Sequence, residues 1–454
     1  MELNWDFKKI FAEIESIKQM PTKTFEQEVS KYFALKAYYD LLLDKTANDY
    51  QLDEKESIRE YIFWMHNYSD EHAKAEKQYT KIFNERSYQT LIDFLKLCEN
   101  HPLINTLTKL NDPIIKKYGY EIPPDMIVKT GDEFYNSLDF MPKNILSKAA
   151  AENLISLTEL EKTMNPFPTG TYYTTGHTLC SYKEKPDFYT LMTIIHETAH
   201  SDDFSNFNDF FTKEKGKKNI FSEFYPMLAE LMCLDFISEK SDSFALDINL
   251  YKHNMLDSQN IYLKRVISKT SHPNELLNEI QRKKPKFLLE AFSYKEMLLL
   301  PPEQEINEKE HYEAIINYME RELIKSQNTN TLTNALIKLK SKLKNPASFI
   351  LSPYDDIVGN KHPSARFARE ILANGKNLLS TLLAMKFYYL IKDDREKGMD
   401  LLEKVKEELI TNHRYSAQTI KKYELEDYLQ PDYIQQYAAE YNAEKEIIKK
   451  GLSK

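Results

Sequence analysis

At 454 residues the chain is long for one compact core, so two or three subdomains are expected. Hydrophobic residues at 42% and charged residues at 29% are the composition of an ordinary soluble globular protein. A net charge of -9 with no basic face argues against a nucleic-acid partner, and the lack of any run of about 18 apolar residues argues against a membrane span.

Only 9 glycines occur, which implies few turns and few strands and so a mainly helical protein. The N-terminal "MELNWDFKKIFAEIESI" alternates charged and apolar residues at helical spacing and lacks the long apolar region of a signal peptide. Residues 1 to about 120 read as helices, with breaks at "MPTKT", "ENHPL" and "YEIPPDM". The texture changes after "NPFPTG". "TYYTTGHTLCSY", residues 171–182, is the best strand candidate, with a hairpin turn at Gly176. Asp187 then caps a helix that carries Leu191, Ile194 and Ile195. "GKKN" interrupts at 216–219, and "SEFYPMLAELMCLDFIS" begins the next helix. Helical patterning continues to "LLLPPEQE", a hinge, and again over 308–345. "NPASFILSPYDDIVGNKHPSARF" is an irregular insert before the C-terminal helices. The 30 tyrosines suit apolar grooves that must also hydrogen-bond. Cys98, Cys180 and Cys233 are an odd set at wide spacing, which fits a reducing, cytoplasmic compartment without a disulfide framework.

The chemistry concentrates in "LMTIIHETAH", residues 191–200. Residues four apart share a helix face, so His196 and His200 can converge on one ion. Glu197 is rotated off that face but can reach a water at the same ion and take its proton, the H-E-x-x-H logic of a zinc hydrolase. The competing reading is two surface histidines at a helix end with a solvated glutamate.

A mononuclear zinc hydrolase needs a third protein ligand and one open position. Glu230 sits in an otherwise apolar run, where an unpaired carboxylate is costly, and is the favoured ligand. The rival is Glu223, 27 positions after His196, whose alternative role is a first-turn acid favoured by the helix dipole. Asp235 could orient either histidine. Cys180 and Cys233 read as small buried hydrophobes.

The order "GTYYTTGH", "DFYTLMTIIHETAHS" and "SEFYPMLAEL" resembles the thimet oligopeptidase and oligoendopeptidase F family of zinc peptidases, over about residues 165–240. The resemblance implies one zinc ion held by His196, His200 and Glu230, with Glu197 as general base and Ala229-Glu230 matching the family's "AE". It implies that the strand carrying Tyr173, Gly176 and His177 pairs with an extended peptide substrate. Three features depart from the family: the interval from His200 to Glu230 is longer, Ala199 replaces a glycine, and the distal Tyr and His occur in the wrong order. The distal pair, which would stabilise the tetrahedral intermediate, is assigned to Tyr354 and His362; Arg366 could meet a substrate carboxylate.

The expected architecture is therefore a mainly α, two-lobed, zincin-like metallopeptidase. A small β-sheet lies next to the active-site helix and a substrate cleft lies between the lobes. The expected divisions are 1–165, an N-terminal helical lobe; 166–300, the catalytic core; and 301–454, a C-terminal helical region. The expected activity is zinc-dependent hydrolysis of short peptides in the cytoplasm, with no nucleic-acid or membrane partner. The alternatives are a zincin with one dedicated protein target, of toxin-like or antirestriction type, and a helical binding protein without catalysis.

Overall fold

The computed structural model describes residues 3–24, isolated positions between 27 and 41, 118, 120–160, 170–172, 175–205, 221–255, 363–412, 417–429 and most of 439–450. The backbone divides into two compact units. One comprises Met1–Met20, Gln89–Leu277 and Ile371–Lys454; the other comprises Pro21–Tyr88 and Asn278–Glu370. The first unit contains both the histidine helix and the glutamate helix. It is assembled from three separate stretches of chain, which boundaries drawn at single points along the sequence do not express.

Helix α1 (Phe7–Gln19) buries Ile10, Ile14 and Ile17, the helical stripe its sequence shows. Asp6 caps it, its carboxylate accepting from the Lys9 N–H at 3.2 Å. The chain leaves helical geometry at Met20, within the break expected at "MPTKT". Helix α2 (Pro124–Asn136) starts on a proline, whose missing N–H has no helical partner to lose at this position. Helix α3 (Ile145–Ala151) follows. Its first turn is capped from α2, because the Asp132 carboxylate accepts from the N–H groups of Leu146 at 2.8 Å and Ser147 at 3.1 Å.

Three strands form one sheet: β1 (Ile155–Leu160), β2 (Gly170–Tyr172) and β3 (His177–Lys183), in the order β1-β3-β2. β3 runs antiparallel to β2, with Tyr172 opposite His177, and parallel to β1, with Leu157 opposite Cys180. The expected hairpin is present, and Gly176 turns it with φ of 74°, a conformation in which a side chain would be strained. β1 was not expected; "ISLTEL" lies in the stretch read as helical. The N-terminal segment touches the outer side of β1, with the Leu157 N–H donating to the Leu3 carbonyl at 3.1 Å. Trp5 reaches across it, and its indole N–H is shared between the carbonyls of Leu154 (3.0 Å) and Thr178 (3.1 Å).

Helix α4 (Phe188–Ser205) is the histidine helix. Asp187 caps it as expected, accepting from the Thr190 N–H at 3.0 Å, while the Asp187 N–H donates to Thr190 Oγ1 at 3.2 Å. Helix α5 (Phe224–Lys240) is buried on nearly every face from Phe224 to Leu234, as a helix apolar all round must be. A 3-10 turn, Asp242–Phe244, leads into helical residues 245–255. Helices α6 (Pro363–Asp393), α7 (Arg395–Asn412) and α8 (Ala417–Lys422) follow, then a 3-10 turn, Glu426–Leu429, and helical positions between 439 and 450. The end of the expected irregular insert, from Pro363 on, is thus helical. The described residues are mainly helical with one small sheet, as composition implied. No helix among them is long and apolar enough to cross a membrane.

Candidate metal centre

Helix α4 is held firmly at the level of its histidines. Gly131 on α2 permits a close approach: a Cβ there would meet Leu146 Cδ2 at 2.9 Å and Ile195 Cδ1 at 3.4 Å. One turn further on, the buried Tyr135 hydroxyl donates to the Ile195 carbonyl at 2.6 Å. Leu191, Ile194, Ile195 and Ala199 fill the core side of α4. At its far end Asp202 forms an ion pair with Lys406 of α7, whose ammonium also sits 3.6 Å from the centroid of the buried Tyr225 ring on α5. This contact ties the end of α4 to the start of α5. It depends on residues far apart in sequence and was not anticipated.

His196 and His200 do share one face of α4, with ring centroids 4.7 Å apart. The acid they meet together is Glu223. Its Oε2 lies 3.3 Å from His196 Nε2 and 3.1 Å from His200 Nε2. Donor atoms of His196, His200 and Glu223 all fall within 4.8 Å of one another. Glu223 stands at the N-cap position of α5, and its carboxylate makes no capping hydrogen bond to the helix it begins.

Glu230 occupies a different place. Its Oε1 accepts from His196 Nδ1 at 2.5 Å, and its Oε2 accepts from the Tyr251 hydroxyl at 2.9 Å. A carboxylate can only accept, so Nδ1 carries the proton and His196 Nε2 keeps its lone pair for a cation. Glu223 and Glu230, seven residues and about 10.5 Å apart along the helix, thus meet the two nitrogens of one imidazole. Glu230 is buried, and it meets the Nδ1 side of His196, whereas Glu223 meets the Nε2 side. Exposure agrees, since the side chains of His196 and Glu223 keep 15% and 14% while that of Glu230 keeps 4%.

The donor set suits a small divalent cation. The Nε2 atoms of two imidazoles and a carboxylate oxygen converge on one point, as the ligands of one small cation do. Ligands at zinc distances in a tetrahedron lie about 3.3 Å from one another, and the separations to Glu223 match this. Without a metal, burial pulls the His196 pKa down, but the hydrogen bonds to Glu223 and Glu230 and their charges outweigh it and hold the pKa well above 6.5.

Glu197 is buried next to this group, and its charge reaches both His196 and Cys180. The Cys180 and Cys233 thiols are fully buried, and burial followed by the charges of Glu197 and Glu230 pushes their pKa values up. They are inert fillers, as expected. Asp235 orients neither histidine by any contact seen here; it accepts from the Tyr388 hydroxyl at 2.7 Å and lies 3.7 Å from Lys252.

His177 lies on β3, the central strand, whose backbone has partners on both sides. Its side chain is buried edge-on against Trp5 at 5.5 Å, and its pKa falls to about 4, chiefly through burial. Gly176 forms the turn. β2 has a strand partner on one side only among the described residues, and it packs against α4. Tyr173, Tyr354 and His362 lie outside the described residues, as do Cys98 and the side chain of Arg366.

No protein-family model and no curated protein matches the chain. Among solved structures it is similar to a PZ peptidase A with an inhibitor, at 9% identity and a TM-score of 0.44, over 96% of this chain and 79% of that one. It is similar to a Bacillus anthracis str. Ames protein assigned as an oligoendopeptidase F, at 11% identity and a TM-score of 0.37, over 96% and 82%. A third similarity, also to a protein assigned as an oligoendopeptidase F, has 10% identity and a TM-score of 0.41, over 96% and 78%. The functional reading rests on the site itself.

Proposed function

We propose that the protein is a zinc-dependent peptidase whose metal ligands are His196, His200 and Glu223. The observation that carries this reading is the placement of Glu223 Oε2 at 3.3 and 3.1 Å from the two Nε2 atoms. When bound, zinc would polarise a water and the scissile carbonyl and would stabilise the charge that develops on the oxygen. Glu197, next to His196 in sequence and close to it in space, takes the proton as the water attacks and returns it to the departing amine. Glu230 accepts from Nδ1 and so holds His196 in the tautomer that presents Nε2.

Three protein ligands would leave a bound zinc ion open to water and substrate, and the partial exposure of His196 and Glu223 is consistent with such access. The substrate class is an extended peptide, whose backbone would pair with the outer side of β2 beside α4. That assigns the strand-pairing role to Gly170–Tyr172 and the residues leading into Tyr173. His177 and Gly176 would shape the hairpin rather than touch the peptide.

Two measurements test the reading. Metal analysis of the purified protein should find one zinc per chain, lost in Glu223→Ala. Glu197→Gln should keep the zinc and lose hydrolysis of a quenched-peptide library, by a factor of about 10²–10⁴. A zinc-free wild type, full zinc in Glu223→Ala, or normal turnover by Glu197→Gln would each refute the corresponding assignment.

A further inference from the structure

Glu230 does not stand alone behind His196. It is a carboxylate almost without solvent, and two donors satisfy it: His196 Nδ1 at 2.5 Å on Oε1 and the Tyr251 hydroxyl at 2.9 Å on Oε2. A buried carboxylate that lost either donor would be left with an oxygen desolvated and unpaired. It would turn to find another partner, and its hold on Nδ1 would turn with it. Tyr251 therefore fixes the plane of the Glu230 carboxylate.

Tyr251 is itself fixed. It lies in helical residues 245–255, and its ring packs against Phe188 at 6.2 Å, Tyr189 at 6.2 Å and Tyr118 at 6.4 Å between centroids. Phe188 and Tyr189 are the first two residues of α4, two turns before His196. The same aromatic cluster thus grips the start of the histidine helix and aims a hydroxyl at the residue that orients the first histidine. Burial, followed by the charge of Glu230, keeps that phenol protonated, so it acts as a donor only.

We propose that Tyr251 is a positioning residue for the metal centre, acting through Glu230 to hold His196 Nε2 at the metal point. The proposal rests on the zinc reading above and adds to it a residue outside the ligand set and outside the histidine and glutamate helices. Its effect falls on metal affinity before it falls on turnover, because the hydroxyl touches neither metal nor substrate.

The test is the zinc dissociation constant, measured by competition with a chromophoric chelator on the full chain. Tyr251→Phe removes only the hydroxyl and should weaken zinc binding about tenfold, within the range that loss of an outer hydrogen bond to a ligand produces. Glu230→Gln should weaken it as well. In the double variant the two losses should fall short of additive, since both act through one hydrogen-bonded chain. Tyr118→Phe supplies the packing control. It removes a hydroxyl from the same cluster, one that accepts from Asn254 Nδ2 at 3.3 Å and does not reach Glu230, and it should leave the constant unchanged. Zinc affinity unmoved in Tyr251→Phe, losses that add in full, or an equal loss in Tyr118→Phe would overturn the role of Tyr251 while leaving the metal centre intact. A wild type that binds no zinc would overturn the metal centre and this role together.

Discussion

His177 shows how the surroundings of one side chain differ between the sequence and the fold. In a strand rich in threonine and tyrosine, near a zinc motif, it suggests a substrate contact. In the structure it is a neutral core residue packed on Trp5, with its pKa lowered to about 4 by burial. The unfolded chain binds a proton at this group below about 6.5, whereas the folded chain resists until about 4. Stability is therefore full above pH 6.5, falls as the pH drops through that window, and stops falling from this cause below pH 4. The shift corresponds to about 3 kcal/mol. Urea unfolding at pH 7 and pH 4 should show wild type losing about that much more than His177→Phe, which keeps an aromatic ring beside Trp5 and does not titrate. Equal losses in the two proteins would mean that His177 is solvated.

At the scale of elements, the sheet is completed from both ends of the first unit's N-terminal half. β1 has β3 on one side and the Leu3 carbonyl on the other, and Trp5 spans to β3 with its indole N–H. The sequence reading treated the first residues only as a helix start. Trp5→Phe keeps most of the apolar surface but removes a donor shared by two carbonyls. It should cost about 1–3 kcal/mol in denaturant unfolding, with no loss of zinc. A change below about 0.5 kcal/mol would show that the carbonyls find water instead. Helices α4 and α5 are held the same way, by contacts such as Tyr135 with Ile195 and Lys406 with Asp202 that no local pattern reveals.

At the scale of the whole molecule, the proposed ligands come from two helices buried in one unit, and the cluster is charged and buried before any metal arrives. Zinc that binds the folded unit and not the open chain should stabilise it by about 2.7 kcal/mol at a hundred times its dissociation constant. Calorimetry with and without a strong chelator should then show the transition of that unit moving to lower temperature when zinc is removed. An unmoved transition would count against a metal bound between α4 and α5.

Where the information was local, the sequence by itself determined the outcome. Composition set a mainly helical fold. The i, i+4 spacing set His196 and His200 on one face, because that geometry belongs to any α-helix. Asp187 before the apolar run marked the start of α4, and Gly176 marked the hairpin. Glu230 was rightly singled out as an acid that could not stay buried unpaired. Only the tertiary structure distinguished what pairs with it. Glu223 and Glu230 lie two turns apart on one helix, so periodicity puts them on nearly the same side, and hydropathy favours the more buried. The packing of α5 on α4 brings the slightly exposed Glu223 to both Nε2 atoms and leaves the buried Glu230 to Nδ1. β1, Trp5 and Tyr251 were not legible at all. Their roles consist of partners 21 to 173 positions distant, and no spacing along the chain encodes which distant groups packing will bring together.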